Sequence, residues 1–292
     1  MKKTFKQLHP LVLFLYYAGS VTLLIMMLHP LFLGVALCIL LAVHFFDDRL
    51  KGLSRWLVFM LTTGIFIMIL NPLFNERGRS VLFTIFGHRI TAEAVVYGGM
   101  NALLIICVMA LFVSYNEVMT PNKLLYLFSG FLPQFAILLM LTLRFIPLMR
   151  RRLAEISAVQ TSKGISIVYG RWRDKVRNGM IYIQVLLVHS LEEAIQTADS
   201  MKARGYGQGK RSTYEYFTFH MRDYCSVIFL ILLFLILICG RLYGYGFLTI
   251  YPIMENWQPA FKEKIVLGFY IIYLSFPLEM ELGGRIRCRL SN

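Results

Sequence analysis

The sequence predicts an all-α polytopic membrane protein with about six transmembrane helices and a cytoplasmic or interfacial region of long amphipathic helices. Of 292 residues, 58% are hydrophobic and only 16% are charged. Several apolar runs are about 17 to 25 residues long, the length at which a helix crosses a bilayer. Between the fourth and fifth runs the pattern becomes periodic, with basic side chains on one helical face.

Six segments are predicted to span the membrane. The first is predicted to be retained, because its apolar run is longer than the core of a signal peptide and no A-x-A site follows it. His29-Pro30 predicts a tight turn after it, and RLKGLSR (49–55) predicts a basic loop. The predicted spans are 10–28, 30–46, 56–71, 92–114, 224–240 and 264–282.

Basic loops predict the orientation, because cytoplasmic loops carry an excess of lysine and arginine. RLKGLSR and the amino-terminal lysines predict that both termini are cytoplasmic, in a multi-pass protein of the cell membrane. The loop 72–91 runs against this rule, since it places Arg77, Arg79 and Arg89 outside.

The orientation requires that the apolar run 124–145 does not cross the membrane. Gly130 and Pro133 interrupt this run, which predicts a re-entrant or bent interfacial helix pair. The chain is therefore predicted to divide into an N-terminal membrane domain (1–123), a region of cytoplasmic or interfacial helices (124–222) and C-terminal membrane helices (223–292).

Charge is concentrated in the middle region. The net charge is +14, and half of it lies between Arg144 and Asp223. Nucleic acid, anionic lipid, an acidic protein and the bias of cytoplasmic loops all fit such a charge. Because the basic residues alternate with an apolar helical face, packing on protein or membrane is favoured, and nucleic acid is not expected.

Two amphipathic helices are predicted in this region, from Arg144 to Ser162 and from about Met180 to Ala203. Each ends in a small residue, a cation and a glycine, in Ser162-Lys163-Gly164 and 41 positions later in Ala203-Arg204-Gly205. Glycine ends a helix in the left-handed conformation, and the cation lies near the negative end of the helix. One such terminus is an ordinary cap, whereas two matched termini favour a docking role.

The other sequence patterns do not indicate a nucleotide-binding, metal-binding or ion-coupling site. A P-loop is excluded, because Arg211 follows Gly209-Lys210 and Arg204 occupies the first glycine position. The six histidines and five cysteines have no metal-ligand spacing. No Asp or Glu lies deep inside a predicted span, and Glu93, Asp47 and Asp48 lie at span edges, which argues against an ion-coupled carrier. Ala94, Gly98 and Ala102 form a small-residue stripe that predicts close helix packing.

The segments LTLRFIPLMRRRLAEISAVQTSKG (141–164) and EEAIQTADSMKARGYGQGKRSTY (192–214) resemble the transmembrane T component of energy-coupling factor transporters, the EcfT family. The family typically places Ala-Arg-Gly after an amphipathic helix with an acidic pair about ten residues earlier. The second segment matches that pattern. The first departs from it, because Ser162-Lys163-Gly164 stands where Ala-Arg-Gly is usual, and lysine lacks the planar donor fork of arginine.

The resemblance implies that the two termini dock on two cytoplasmic ABC-type ATPase subunits, which bind the ATP, so that this chain needs no cofactor. A separate membrane S component would bind a vitamin or a transition-metal ion. Lys163 and Arg204 would be cationic anchors, and Gly164 and Gly205 would let the chain turn away. The residues implied for docking are Ser162, Lys163, Gly164, Ala203, Arg204 and Gly205, and those supporting the coupling helices are Arg144, Pro147, Glu192, Glu193 and Asp199.

Two other functions remain open from the residues. One is a membrane enzyme acting on anionic lipid headgroups, with phosphate contacts from Arg150, Arg151, Arg152, Arg171 and Arg173. The lack of a general-base constellation counts against it. The other is a structural membrane scaffold, which would stimulate no ATPase.

Overall fold

The computed structural model describes residues 5–75, 78, 80–85, 88–130, 132–209, 217–250 and 260–290. These residues are almost entirely helical, which confirms the all-α class. The chain divides into two compact units, residues 1–121 with 217–292 and residues 122–216. Lys2, Lys3, Arg77, Arg79, Lys210 and Arg211, which the orientation and motif arguments use, lie outside the described residues.

The elements follow one another along the chain after a short 3-10 turn at Phe5–Gln7. In the first unit α3 and α4 pack together, α2 packs on α4 and α9, and α1 and α9 both pack on α8. In the second unit α6 packs on α7. The elements are α1 Pro10–Met26, α2 Pro30–Asp48, α3 Lys51–Phe74, β1 Val81–Ile85, β2 His88–Thr91, α4 Ala92–Val118, α5 Pro121–Ser129, α6 Pro133–Ser162, α7 Trp172–Ala203, α8 Met221–Leu242 and α9 Phe261–Leu290.

Six of the described helices, α2, α3, α4, α6, α8 and α9, are long and apolar enough to cross a membrane. Five of them correspond to predicted spans. The predicted first span forms α1, which is apolar but has only 17 residues. The sixth is α6, whose first part, 133–145, belongs to the apolar run 124–145 that the orientation argument kept out of the membrane. Length and composition therefore support a multi-pass membrane protein.

Histidine side chains cap the first two helices. Nδ1 of His9 accepts a hydrogen bond from the Leu11 N–H, and Nδ1 of His29 accepts one from the Leu31 N–H, each at 3.2 Å. A proline follows each cap at the first helical position, where its missing N–H costs nothing. The predicted turn at His29-Pro30 is thus confirmed.

The predicted basic loop at 49–55 is wrong in extent. Only Arg49 and Leu50 separate α2 from α3, and both have left-handed backbone conformations, with φ of 49° and 65°. The remaining residues of the predicted loop form the first turns of α3. The corner is short because two successive left-handed residues reverse the chain without a longer connection.

The small-residue stripe of α4 forms a close helix contact, as predicted. Ala94, Gly98 and Ala102 are all buried. A Cβ atom at Gly98 would lie 3.1 Å from Cβ of Asn71 and 3.2 Å from the carbonyl oxygen of Met68. The absent side chain therefore lets α3 and α4 approach closely.

We expect Gly98→Ala to lower the free energy of unfolding by about 1–2 kcal/mol, because the new methyl group presses on the backbone of α3. Gly99→Ala is the matched control, since a Cβ atom there meets nothing within 4 Å. The control should be neutral or slightly stabilising, because alanine favours helix. Thermal unfolding of both variants in the same detergent measures the difference. Equal unfolding temperatures would contradict a tight α3–α4 contact.

Buried polar side chains join the helices of the first unit through backbone carbonyl groups. The Tyr16 hydroxyl donates to the Leu274 carbonyl at 3.0 Å, and the Tyr273 hydroxyl donates to the Leu15 carbonyl at 3.2 Å. The hydroxyls of Tyr17 and Ser114 lie 2.8 Å apart and link α1 to α4. Each such bond between apolar helices contributes on the order of 1 kcal/mol.

In the second unit the predicted break in the apolar run is present, and the two amphipathic helices begin earlier than predicted. The break predicted around Gly130 and Pro133 is present, because α5 ends at Ser129 and α6 begins at Pro133. The change at Arg144 is not a helix boundary, since α6 runs through it to Ser162. The second amphipathic helix begins at Trp172, well before the predicted Met180.

A two-stranded antiparallel hairpin precedes α4 and was not predicted. It pairs Phe83 with Ile90 and Ile85 with His88. In the first turn of α4 the buried Glu93 carboxylate accepts a hydrogen bond from the Ser80 hydroxyl at 2.7 Å, which ties the hairpin to the helix. The acidic residue near a helix N-terminus is favoured by the helix dipole.

Candidate docking site

The ends of α6 and α7 have the same backbone geometry. Gly164 and Gly205 have φ of 81° and 79°. At the first terminus the Gly164 N–H donates to the Thr161 carbonyl at 3.0 Å, and the Ile165 N–H donates to the Gln160 carbonyl at 2.9 Å. These two bonds define a Schellman motif, and glycine is favoured because it adopts positive φ without strain.

The second terminus repeats these bonds. The Gly205 N–H donates to the Lys202 carbonyl and the Tyr206 N–H donates to the Met201 carbonyl, both at 3.0 Å. The predicted ends of both helices, including the role of glycine, are therefore confirmed. Lys163 and Arg204 occupy the same position, one residue before the glycine.

The end of α8 shows that this cap does not need a cation at that position. Gly244 has φ of 90°, its N–H donates to the Arg241 carbonyl at 2.9 Å, and the Tyr245 N–H donates to the Gly240 carbonyl at 3.1 Å. Tyr243 stands there in place of lysine or arginine. Ending the helix therefore does not explain why Lys163 and Arg204 are basic.

Both cations are exposed. In the described part of the chain neither Lys163 nor Arg204 forms an ion pair or a side-chain hydrogen bond. Each adds a positive charge near the negative end of its helix, which contributes about 0.3–1 kcal/mol. Their side chains are thus available to an acidic surface.

The two termini are far apart within the second unit. The Tyr182 hydroxyl donates to the Ile165 carbonyl at 2.6 Å, which places the end of α6 beside this part of α7. The helical stretch from Tyr182 to Arg204 is about 33 Å long at 1.5 Å of rise per residue. Two cations held at this separation suit two separate binding surfaces better than one.

A cleft of about 390 Å³ lies between α6 and α7 near the second terminus. It brings together three of the predicted site residues, Arg144, Glu193 and Arg204, with Phe145 and Met201 on its walls. Glu193 is half-buried, whereas both arginines are exposed. The cleft thus places an acidic group and two cations around one opening.

The other predicted site residues lie outside this cleft. Pro147 is inside α6 and exposed, and Glu192 and Asp199 are exposed on α7. Ser162 donates its hydroxyl to the Val159 carbonyl at 2.7 Å, so it reinforces the end of α6. Among the described residues, no group of three or more His, Cys, Asp or Glu side chains is arranged to hold a metal ion.

Sequence reasoning missed the residues that hold the two helices together. Tyr182 is buried with 2% exposure, and Asn178 donates its side-chain amide to the Ser166 carbonyl at 2.8 Å. The Ser190 hydroxyl also lies 3.0 Å from the sulfur of Met149. Tyr182 lies in the apolar run MIYIQVLLV (180–188), so no sequence signal marks its specific contact. These contacts fix the course of α7 relative to α6.

The apolar stripe of α7 is largely uncovered in this chain. An apolar face suited to packing on protein or membrane was predicted, and its members Ile183, Leu187, Leu191 and Ile195 are 51–65% exposed among the described residues. These four residues, called the α7 stripe below, lie at helical spacing on one face. An apolar face of this size on an amphipathic helix suits contact with either another protein or the membrane.

Known proteins with similar sequences have names that refer to transport. A profile of the CbiQ family, described as cobalt transport protein, matches residues 2–215. The energy-coupling factor transporter transmembrane protein EcfT of Listeria innocua is 27% identical over 40% of this chain and 44% of its own length. The EcfT proteins of Streptococcus thermophilus and Staphylococcus aureus are 28% and 24% identical.

The alignments with the Streptococcus thermophilus and Staphylococcus aureus proteins cover 59% and 65% of this chain, and 69% and 76% of those two relatives. The Listeria alignment spans less than half of that relative. The family profile includes both matched helix termini and the cleft between α6 and α7. The chain therefore belongs to the CbiQ family of transmembrane transport proteins, which confirms the resemblance to the EcfT proteins.

Proposed function

We propose that this chain is the transmembrane coupling component of an energy-coupling factor importer. In this role it links two cytoplasmic ABC-type ATPase subunits to a membrane S component that binds a micronutrient, either a vitamin or a transition-metal ion. The chain itself is not catalytic and needs no cofactor, because the partner subunits bind and hydrolyse ATP. The chain crosses the cell membrane several times, and its amino and carboxyl ends are both cytoplasmic.

One observation carries the proposal. Two helices end in the same Schellman geometry, each with an exposed cation before the glycine that has no partner among the described residues, and the end of α8 has this geometry without the cation. The helix cap forms without a cation at this position, so the cation is available for a second role. An acidic groove on each ATPase subunit would accept one terminus, with Arg204 anchoring one contact and Lys163 the other.

The exposed faces fit a division of labour between partners. The α7 stripe is apolar and suits a membrane protein such as the S component, whereas the termini are cationic and suit an acidic partner. Closure of the ATPase pair on ATP would move the two docked termini relative to each other. The stiff helices α6 and α7, of 30 and 32 residues and so about 45 and 48 Å long, would carry that movement toward the membrane as a rigid-body or shear change.

Purification of the tagged chain from its native membrane tests the proposed partners. We expect two ATPase subunits and a small membrane protein to accompany the wild-type chain. A Lys163→Glu, Arg204→Glu double variant should lose the ATPase subunits, because two anchors become repulsive. Arg150→Glu, Arg151→Glu is the matched control and should retain them, because both arginines are exposed on α6 and neither forms an ion pair among the described residues.

Two results would overturn this proposal. One is a wild-type chain that purifies from native membrane without any ATPase. The other is a double variant that retains ATPase subunits as fully as the wild-type chain does. A scaffold without partner ATPases would give the first result. A chain that docks through other residues would give the second.

A further inference from the structure

The corner between α2 and α3 carries three cations that have no partner in the described chain. Arg49, Lys51 and Arg55 are exposed and form no ion pair or side-chain hydrogen bond there. The helix dipole favours Arg49, which caps the C-terminal end of α2, but not Lys51 and Arg55, because the first turns of α3 favour acidic side chains. The three charges are therefore available to an anionic partner outside the described residues.

Two acidic groups of the first unit, Asp47 and Glu117, have other neighbours. Asp47 pairs with Lys6 at 2.9 Å. The Glu117 carboxylate lies against Gly52, on the side of α3 that packs on α4. Neither acidic group forms an ion pair with any of the three cations.

The same face of α3 continues as a lipid-exposed stripe. Lys51 and Arg55 are four residues apart and so lie one above the other. Below them Val58, Phe59 and Ile65 are 55–73% exposed. Trp56, at the boundary between cations and apolar side chains, is 52% exposed, and tryptophan favours the membrane interface.

The polar side chains on this stripe are satisfied within the helix. The Thr62 hydroxyl donates to the Val58 carbonyl at 2.7 Å, and the Thr63 hydroxyl donates to the Phe59 carbonyl at 2.8 Å. A face that contacts hydrocarbon needs such internal bonds, because lipid tails offer none. The exposed stripe is therefore suited to acyl chains along its length.

We propose that Arg49, Lys51 and Arg55 bind the phosphate of an anionic phospholipid whose acyl chain lies along Val58 and Phe59. Charge complementarity selects the headgroup, and continuity with the lipid-exposed stripe selects a lipid over a soluble anion. This site is independent of the proposed ATPase docking, since it uses residues of the other unit.

Lipid retention tests the site. The chain is purified in micelles that contain equal amounts of phosphatidylglycerol and phosphatidylcholine, and the bound lipids are measured by mass spectrometry. We expect the wild-type chain to retain phosphatidylglycerol preferentially. Lys51→Gln, Arg55→Gln should lower that preference by about fivefold for each cation removed. Arg55→Gln alone leaves Arg49 and Lys51 in place, so it should give an intermediate loss of the preference.

Arg171→Gln, Arg173→Gln removes two exposed cations from α7 and its N-terminal flank, and should leave the lipid ratio unchanged. Inorganic phosphate in excess should not displace the lipid, because it lacks the acyl contact. Equal retention of both lipids by the wild-type chain would overturn the proposal. So would loss of lipid in the α7 control to the same degree, or displacement by phosphate, which would indicate non-specific charge or a soluble-anion site.

Discussion

Arg204→Glu is expected to reduce uptake of the transported nutrient by at least about tenfold while leaving membrane insertion intact. Arg204 is exposed at the end of α7 and has no partner in the described chain, so its replacement should not disturb the fold. Reversal of its charge removes the anchor and adds repulsion against an acidic groove, which costs several kcal/mol at an interface. Uptake is measured in cells, with the nutrient identified from the co-purified S component.

Arg204→Lys tests whether docking depends only on the positive charge of this side chain or also on the planar shape of the guanidinium group. It keeps the positive charge but loses the planar donor fork, so we expect partial uptake. Arg150→Glu makes the same charge reversal on an exposed position of α6 and should have little effect. Normal uptake by the Arg204→Glu variant would contradict a docking role for this residue.

Leu187→Glu, Leu191→Glu is expected to remove the S component from the complex while the ATPase subunits stay bound. Both residues belong to the α7 stripe and are 63% and 65% exposed, so the change should be tolerated by the free chain. Two carboxylates in an apolar interface leave buried charges unpaired, which costs several kcal/mol. The composition of the purified complex measures the loss.

His189→Glu is the control for the stripe, because His189 is exposed on a different face of the same helix. It should keep all partners. Retention of the S component by the double variant would show that the α7 stripe does not seat it. Loss of the ATPase subunits as well would indicate that the variant disturbs the whole second unit.

Local chemistry explains why the helix ends were predictable. Gly164 and Gly205 determine where α6 and α7 stop, since positive φ and the two capping bonds depend on a few adjacent residues. The small-residue stripe around Gly98 was predictable for a similar reason, because the spacing itself allows close approach.

Features that depend on distant contacts were not predictable. The start of α7 at Trp172 is supported by Asn178 and Tyr182, which bond to the chain just after α6, and no periodic pattern marks that segment. The pairing of β1 with β2 requires backbone contacts between two separate segments. At Arg144 the pattern of α6 changes from continuously apolar to amphipathic while the helix continues. This change in composition was mistaken for a helix boundary.

The candidate site was predictable in part. The sequence pattern identified Lys163 and Arg204, but only the structure brings Arg144 and Glu193 to the same cleft as Arg204. The pattern also predicted the apolar face of α7. Whether this chain or another covers that face depends on packing, and Leu187 and Leu191 prove to be uncovered.

Site-specific photocrosslinking in native membrane tests the docking of both termini most directly. A photoreactive side chain is placed at position 163, at position 204 or at position 243, which has the same helix cap without a cation. Positions 163 and 204 should each crosslink to an ATPase subunit, and position 243 should not. Absence of ATPase crosslinks at 163 and 204, or equal crosslinking at 243, would contradict the proposed docking role of the two basic termini.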